Sequence, residues 1–227
     1  MLTEALIDAK KGDWTIPQHW ERFTPAEHAV WDLLFARQQD ALKGRAVSDF
    51  FRGLDVLRLS KPGIPDFEEL NERLFARTGW TIVPVPGLVP DDVFGHVPLL
   101  AQPAVADFMQ AMGAEGLAAL EAGALHRLAR LYWYSVEFGL AREAGGTRIY
   151  GAGLLSSFGE SRFALESDKP NRQAFDLHRV LRTRYRSDAF QRGYFVIDSF
   201  DALLRLLADA DLAGLYEEMD GTADLEP

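Results

Sequence analysis

Helix start and stop signals recur along this chain, and they restrict it to a mostly helical fold. Thr24-Pro25-Ala26-Glu27 combines an N-cap threonine, a proline at the first helical position and a glutamate three residues after the cap, which together satisfy the free amides of a first helical turn. Apolar residues then recur with helical spacing up to Leu42, and Gly44 follows as a stop signal. We therefore predict a helix over residues 25–42.

The same signals predict further helices, and two segments predict strands. The helices are expected from Ser48 to about Leu57, 65–78, 103–113, 118–142, 171–185 and 199–218, and the strands within 147–160 and 193–200. The expected fold class is mostly α with minor β (α+β). Because no linker or repeat divides the chain, we predict a single domain over residues 1–227, with residues 1–12 and 220–227 frayed at the termini.

Composition argues against several classes of partner. The formal net charge is −10, and the 24 Lys and Arg residues are scattered, so nucleic acid is not an expected partner. The chain has no cysteine, which excludes disulfides, thiolate metal sites and cysteine nucleophiles. It shows no signal peptide and no apolar run long enough to cross a bilayer, so no membrane association is expected. We predict a cytoplasmic protein.

Glu137 lies in the apolar stretch LARLYWYSVEFGL. A carboxylate on a buried helix must be paired, protonated or bound to a cation, because an isolated charge in an apolar core is very costly. Sequence spacing alone favours a salt bridge to one of three arginines, Arg127, Arg130 or Arg142. A metal ion is the alternative.

His96 lies in PDDVFGHVPLL, where it is expected among loop-forming residues. The remaining four histidines have the surroundings of ordinary surface or packed residues. Asp92 and His96 are spaced i, i+4, so both could face one site if Pro90 begins a helical turn, and Asp91 is one position off that face. One histidine with nearby carboxylates is a weak metal signal by itself.

Longer motifs indicate a family. GHVPLL, LARLYWYSVEFGL, RIYGAGLLSSFGE, RTRYRSDAFQRGYFVIDSF and TPAEHAVWDLLFARQ closely resemble the bacterial members of the pterin-dependent aromatic amino acid hydroxylases, over residues 13–212. The resemblance implies that family's catalytic-domain fold. It also implies conversion of L-phenylalanine to L-tyrosine with O2 and a tetrahydropterin, tetrahydrobiopterin or a related compound, at a non-haem Fe(II) site.

In that family two histidines and one glutamate hold the iron and leave positions open for dioxygen. The resemblance implies that His96 is the second histidine and Glu137 the glutamate. The first histidine is expected five residues before His96, where this chain has Asp91. In one interpretation Asp91 replaces that histidine as a metal ligand.

In the other interpretation, which we favour, the chain lacks an internal segment of a few dozen residues. Relatives carry a DVF tripeptide at both ends of that segment, and here VPGLVPDDVF runs directly into FGHVPLL. The segment carries the first iron histidine and the arginine that binds the substrate carboxylate. Because these residues would be missing, the alternative is that this chain is a non-catalytic or altered-metal relative of the family.

The resemblance also implies the remaining site residues, although it assigns no catalytic acid or base. Residues expected to bind the pterin are Gly87, Leu88, Val89, Phe94, Ala129 and Tyr132. Residues expected to enclose the aromatic substrate are Trp133, Phe138, Gly153 and Ser156, of which Trp133 and Phe138 would otherwise be read as core packing. Because tetrameric relatives carry an added C-terminal helix, we expect a monomer.

Overall fold

The computed structural model describes residues 15–86 and 90–227. A 3-10 turn, Trp20–Arg22, precedes the first helix. The helices are α1 Pro25–Leu42, α2 Ser48–Val56, α3 Phe67–Thr78, α4 Pro90–Leu100, α5 Pro103–Glu121, α6 Leu125–Tyr132, α7 Ala152–Ser156, α8 Glu160–Glu166, α9 Leu177–Arg182, α10 Phe200–Ala208 and α11 Leu212–Glu218. The strands are β1 Leu140–Glu143, β2 Gly146–Ile149, β3 Asn171–Ala174 and β4 Gly193–Ile197. The predicted α+β class is confirmed.

The start of α1 follows from its capping residues. The Thr24 hydroxyl accepts a hydrogen bond from the Glu27 amide at 3.3 Å, and the Glu27 carboxylate accepts one from the Thr24 amide at 2.7 Å. This reciprocal pair satisfies two amides that the helix leaves free. The predicted helix over residues 25–42 is therefore confirmed at both ends.

The four strands form one mixed sheet in the order β2-β1-β4-β3. β1 pairs antiparallel with β2, while β4 runs parallel to both β1 and β3. Every residue of β4 is buried, as expected for a central strand covered on both faces. The strand predicted within residues 193–200 is confirmed.

Several predicted element boundaries are wrong. α5 continues through Gly113, which has open space around it, and the chain turns at Gly123, whose φ of 67° ends the helical run. The long helix expected over residues 118–142 is divided there, and its last part becomes a π-helical segment, Trp133–Glu137, followed by β1.

Tertiary pairing explains the other differences. Residues 171–174, expected to be helical, pair with β4 as strand β3, because strand pairing satisfies their backbone groups across the sheet. The helix expected over residues 199–218 is interrupted after Ala208, and Asp211 caps its second part by accepting a hydrogen bond from the Gly214 amide. The segment expected as a strand and turn over residues 147–160 forms the end of β2 and then α7.

His96 lies in helix α4 and not in the expected loop. Helix α4 packs closely against α2 and α7 because both contacts are made at glycines. A Cβ on Gly53 of α2 would overlap the Pro98 carbonyl group, and a Cβ on Gly95 would lie only 2.6 Å from the Ala152 carbonyl oxygen. α4 is therefore held between its two neighbours, and this fixes the position of His96.

The C-terminal residues, for which fraying was expected over 220–227, make contacts with the rest of the fold. Asp224 accepts hydrogen bonds from both terminal nitrogens of Arg130, at 2.7 and 2.8 Å. Leu225 forms a β-bridge with Thr183. The other expected frayed end, residues 1–12, lies outside the described residues.

The buried hydrophobic side chains of the described ranges form one cluster that spans helices and sheet. That cluster is compatible with the single domain expected over residues 1–227, which stays a prediction. Within residues 15–86 and 90–227, no helix is both long and apolar enough to cross a membrane.

Candidate active site

The site is built where α4 meets the π-helical segment. His96 comes from α4, and Glu137 is the last residue of the segment Trp133–Glu137. The His96 Nε2 atom lies 3.4 Å from Glu137 Oε1, and the two side chains are 27% and 20% exposed. A π-bulge changes the direction of the side chains that follow it and often occurs at functional sites. Here it lies next to the carboxylate that the sequence singled out.

The salt bridge that sequence spacing favoured for Glu137 is not formed. Arg127 donates to the Met219 carbonyl oxygen, Arg130 binds Asp224, and Arg142 pairs with Asp198 at 2.9 Å. All three guanidinium groups are thus engaged elsewhere in the fold. The carboxylate of Glu137 faces an imidazole instead, which leaves it available to a cation.

Tyr132 and Asp92 complete the polar surroundings of Glu137. Burial raises the pKa of Tyr132, and the nearby Glu137 carboxylate and the charge of Asp92 raise it further. Asp92 and His96 are spaced i, i+4 in α4.

The donor atoms have the chemistry of a non-haem metal site. An imidazole nitrogen and a carboxylate oxygen separated by 3.4 Å can both reach a single ion at bond lengths of about 2.1 Å. Among the described side chains, however, no group of three or more His, Cys, Asp or Glu residues is arranged to hold a metal ion. The backbone of Asp91 belongs to α4, but its side chain lies outside the described part of the chain. The described part therefore supplies two donors.

Aromatic rings form one wall beside Glu137. The indole of Trp133 stacks on Phe138 with a centroid distance of 4.7 Å, and on Tyr185 at 4.2 Å. A Cβ on Gly153 would lie 3.1 Å from the Phe138 ring and 3.4 Å from Glu137 Oε2, so the glycine keeps the space next to the carboxylate open. The structure thus brings together three of the predicted substrate residues, and adds Tyr185, which the sequence did not suggest.

The fourth predicted substrate residue, Ser156, is the last residue of α7 and contacts Gly95 of α4. Its hydroxyl would be 2.6 Å from a Cβ on Gly95. Ser156 lines a cavity of about 180 Å³ together with Phe94, Phe35 and Gln38. This serine therefore faces α4.

The residues expected to bind the pterin are more dispersed. Phe94 is only 6% exposed and packs edge-to-face against Phe35 and Phe50. Ala129 is half-buried in α6, one turn before Tyr132. Gly87, Leu88 and Val89 lie outside the described residues. The pterin assignments stay predictions.

Sequence reasoning also missed a buried polar pair, Glu160 and Gln191, which are 5% and 3% exposed. Glu160 ends the motif RIYGAGLLSSFGE. The argument applied to Glu137, that a carboxylate among buried apolar residues needs a partner, would have identified it.

This fold and this His–Glu pair define the class of the protein. Residues 89–210 match the family model for biopterin-dependent aromatic amino acid hydroxylases. The chain belongs to this family, whose members use Fe(II) and a tetrahydropterin.

Two bacterial relatives with high identity bear the same name. The chain is 49% identical to phenylalanine-4-hydroxylase of Caulobacter vibrioides, which covers 94% of this chain and 84% of the relative. It is 45% identical to the enzyme of that name from Chromobacterium violaceum, covering 95% and 82%. The crystal structure of the Chromobacterium violaceum phenylalanine hydroxylase bound to cobalt superposes with a TM-score of 0.88 at 44% identity, covering 94% of this chain and 89% of that chain.

The length of these alignments bears on the missing segment. The alignment with the Caulobacter relative runs over 247 residues, although this chain has 227 and is covered to only 94%. The relative therefore contains residues that have no counterpart here. This agrees with the interpretation that the chain lacks a segment present in the family.

Proposed function

We propose that this chain is a phenylalanine 4-monooxygenase, which converts L-phenylalanine to L-tyrosine with O2 and a tetrahydropterin at an Fe(II) site. The observation that carries the proposal is the His96–Glu137 pair, whose nitrogen and oxygen lie 3.4 Å apart within the family's fold. Relatives at 45–49% identity that bear this activity as their name support the substrate and the reaction.

His96 Nε2 and a Glu137 carboxylate oxygen would hold the iron. Bound Fe(II) and tetrahydropterin supply the activation of O2 that allows one oxygen atom to be added to the aromatic ring. The protein's contribution is to bind and orient the reactants in a pocket that contains little water. The half-buried positions of both ligands suit that role, since solvent reaches them only in part.

Tyr132 orients the carboxylate ligand. Its hydroxyl lies close enough to the Glu137 side chain for the carboxylate to raise the pKa of Tyr132, and polar groups beside a ligand fix its direction and affect metal affinity. Trp133 and Phe138 form the surface on which the substrate ring would lie. Gly153 leaves the adjacent space unfilled, because any side chain there would press on Phe138 and Glu137.

We propose Asp91 as a candidate third protein ligand for the case in which no segment is missing, because in that register it stands where the family's first histidine is expected. Asp92 is the competing candidate, since its charge acts on Tyr132. Asp91→Ala and Asp92→Ala variants, each assayed for bound Fe(II), distinguish the two. Loss of iron in the Asp91 variant alone supports the assignment, whereas loss in the Asp92 variant alone transfers the role to Asp92.

The activity is tested by anaerobic titration with Fe(II), followed by tetrahydropterin, O2 and L-phenylalanine, with tyrosine as the measured product. Tyrosine formation that requires iron is expected in the wild-type chain and should be lost in Glu137→Gln. His126→Ala, which changes an exposed histidine of α6, is the matched control and should retain activity. Absence of iron-dependent tyrosine from the wild-type chain would refute the proposal.

The same experiment separates the alternative function. A non-catalytic or altered-metal relative would bind L-phenylalanine, or a metal other than iron, without forming tyrosine. The monomeric state and cytoplasmic location expected from the sequence stay predictions. Sedimentation velocity tests the first, and a stable dimer would contradict it.

A further inference from the structure

The aromatic wall beside Glu137 is held in place by a buried hydrogen-bond network. The Trp133 indole nitrogen donates to Gln191 Oε1 at 3.1 Å. The Gln191 side-chain nitrogen donates to the carbonyl oxygens of Arg186 and Ala189, at 2.6 and 3.2 Å. Gln191 therefore closes the loop that precedes β4 and at the same time fixes the orientation of the indole.

Gln191 is in turn fixed by Glu160, the first residue of α8. The Oε1 atom of Glu160 accepts a hydrogen bond from the Gln191 backbone amide at 2.8 Å and another from the Tyr194 hydroxyl at 2.8 Å. Glu160 is only 5% exposed. Burial disfavours the charged form of a carboxyl group, and hydrogen bonds donated to the carboxylate offset that free-energy cost.

Two opposing effects act on the pKa of Glu160. Burial raises the pKa of Glu160, and the hydrogen bonds from Gln191 and Tyr194 oppose this increase. This carboxylate accepts its hydrogen bonds from two neutral donors, the backbone amide of Gln191 and the hydroxyl of Tyr194 in β4. Its contacts thus serve to position neighbouring groups, which is unlike the surface ion pair that Glu166 of the same helix makes with Arg45.

The loop closed by Gln191 also carries Tyr185 at its start. Tyr185 stacks on the face of Trp133 at 4.2 Å with an interplanar angle of 17°, and Phe138 stacks on the same indole at 4.7 Å. Phe138 directly follows Glu137. The three rings therefore lie beside Glu137, and hydrogen bonds connect the central indole through Gln191 to Glu160.

We propose that Glu160 is a positioning residue for the aromatic amino acid: through Gln191 it holds the Trp133 indole, and with it the stack of Tyr185, Trp133 and Phe138, beside Glu137. The proposal rests on the proposed function for the identity of the substrate. It does not make Glu160 a catalytic residue, because the contacts that position the wall run through Gln191.

The first measurement is the dissociation constant of L-phenylalanine on the Fe(II)-loaded chain under anaerobic conditions. Glu160→Ala leaves two buried donors without an acceptor, so the wall relaxes, and we expect affinity for phenylalanine to fall about 10-fold. Glu160→Gln keeps an oxygen in the accepting position and should remain within about 3-fold of wild type. Glu166→Ala removes an exposed ion pair and should leave the affinity unchanged.

The second measurement reports on the indole itself and does not depend on activity. The Trp133 indole N–H resonance, identified by its loss in Trp133→Phe, should shift in Glu160→Ala and in Gln191→Leu but not in Glu166→Ala. Combining Glu160→Ala with Trp133→Phe should weaken phenylalanine binding by less than about 2-fold beyond Trp133→Phe alone, because residues that act through one contact are not additive.

The positioning role of Glu160 can be tested even if one variant fails to fold. If Glu160→Ala is unfolded, Gln191→Leu alone must shift the indole resonance and weaken phenylalanine binding. An unshifted resonance in the folded variants, or full additivity in the double variant, would overturn the role of Glu160. Lack of tyrosine formation together with a shifted resonance would instead count against the proposed function and leave the positioning role standing.

Discussion

Gly95 offers a direct test of how closely α4 approaches α7 at the site. Gly95 immediately precedes His96, and a Cβ added there would lie 2.6 Å from both the Ala152 carbonyl oxygen and the Ser156 hydroxyl. The serine hydroxyl can rotate away, but the carbonyl oxygen belongs to the backbone of α7. Gly95→Ala therefore forces the two helices apart.

The expected change in the free energy of unfolding of Gly95→Ala is the difference between two contributions. Alanine is favoured over glycine within a helix by about 1 kcal/mol. Overpacking a well-packed contact costs about 1–3 kcal/mol, and backbone clashes fall at the upper end. We expect Gly95→Ala to lower the free energy of unfolding by about 1–2 kcal/mol, which corresponds to a fall in Tm of about 2–8 °C for a chain of this size.

The assay is urea unfolding of Gly95→Ala beside Gly113→Ala. Gly113 is also helical, but nothing lies within 4 Å of its Cβ position, so its alanine variant should gain about 0.5–1 kcal/mol. Displacement of His96 should also weaken Fe(II) binding in Gly95→Ala and not in the control. A Gly95→Ala variant as stable as wild type, beside a stabilised Gly113→Ala, would refute the close approach of α4 and α7.

Three further predictions concern charge and metal. Hydrogen bonds from Arg130 hold the pKa of Asp224 well below its usual range, so this pair stabilises the fold above the unfolded pKa of about 4 and the stability is lost as pH falls further; Asp224→Asn should lower the free energy of unfolding at pH 7 by about 1–3 kcal/mol and flatten its acid dependence, and an unchanged acid limb would contradict this. Fe(II) at about 100 times its Kd should stabilise the wild-type chain by about 2.7 kcal/mol, seen as a raised Tm, and an equal rise in Glu137→Gln would show that the ion binds elsewhere. Tyr132→Phe should weaken Fe(II) binding about 10-fold or more in a chelator competition, whereas affinity equal to that of the His126→Ala control would exclude an orienting role for the hydroxyl.

Local signals in the sequence were sufficient for some of the structure. The capping residues around Thr24 determine where α1 begins, since they act on amides within three residues of themselves. The run of β-branched and aromatic residues in β4 likewise identified a strand that is buried along its whole length. His96 and Glu137 were both identified as candidates, although the residues alone favoured an arginine partner for the glutamate.

The tertiary structure decided what depends on distant partners. Arg127, Arg130 and Arg142 lie near Glu137 in sequence, yet each finds an acceptor in the last third of the chain. Residues 171–174 have a helix-compatible sequence but gain backbone partners by pairing with β4. Sequence spacing cannot predict such choices, because the competing partners are separated by tens of residues and meet only once the chain has packed.

The aromatic wall of the site also combines residues that the sequence identified with contacts that only packing determines. Trp133 and Phe138 were found by motif, whereas the stacking of Tyr185 and the support from Glu160 arise from contacts across more than 20 residues of sequence. By itself the sequence predicted the helical class and the capped start of α1, and its family motifs made His96 and Glu137 the candidate metal ligands. Only packing decided that those two side chains lie 3.4 Å apart, because α4 and the π-helical segment both pack against α7, at Gly95 and at Gly153, in contacts that no local signal encodes.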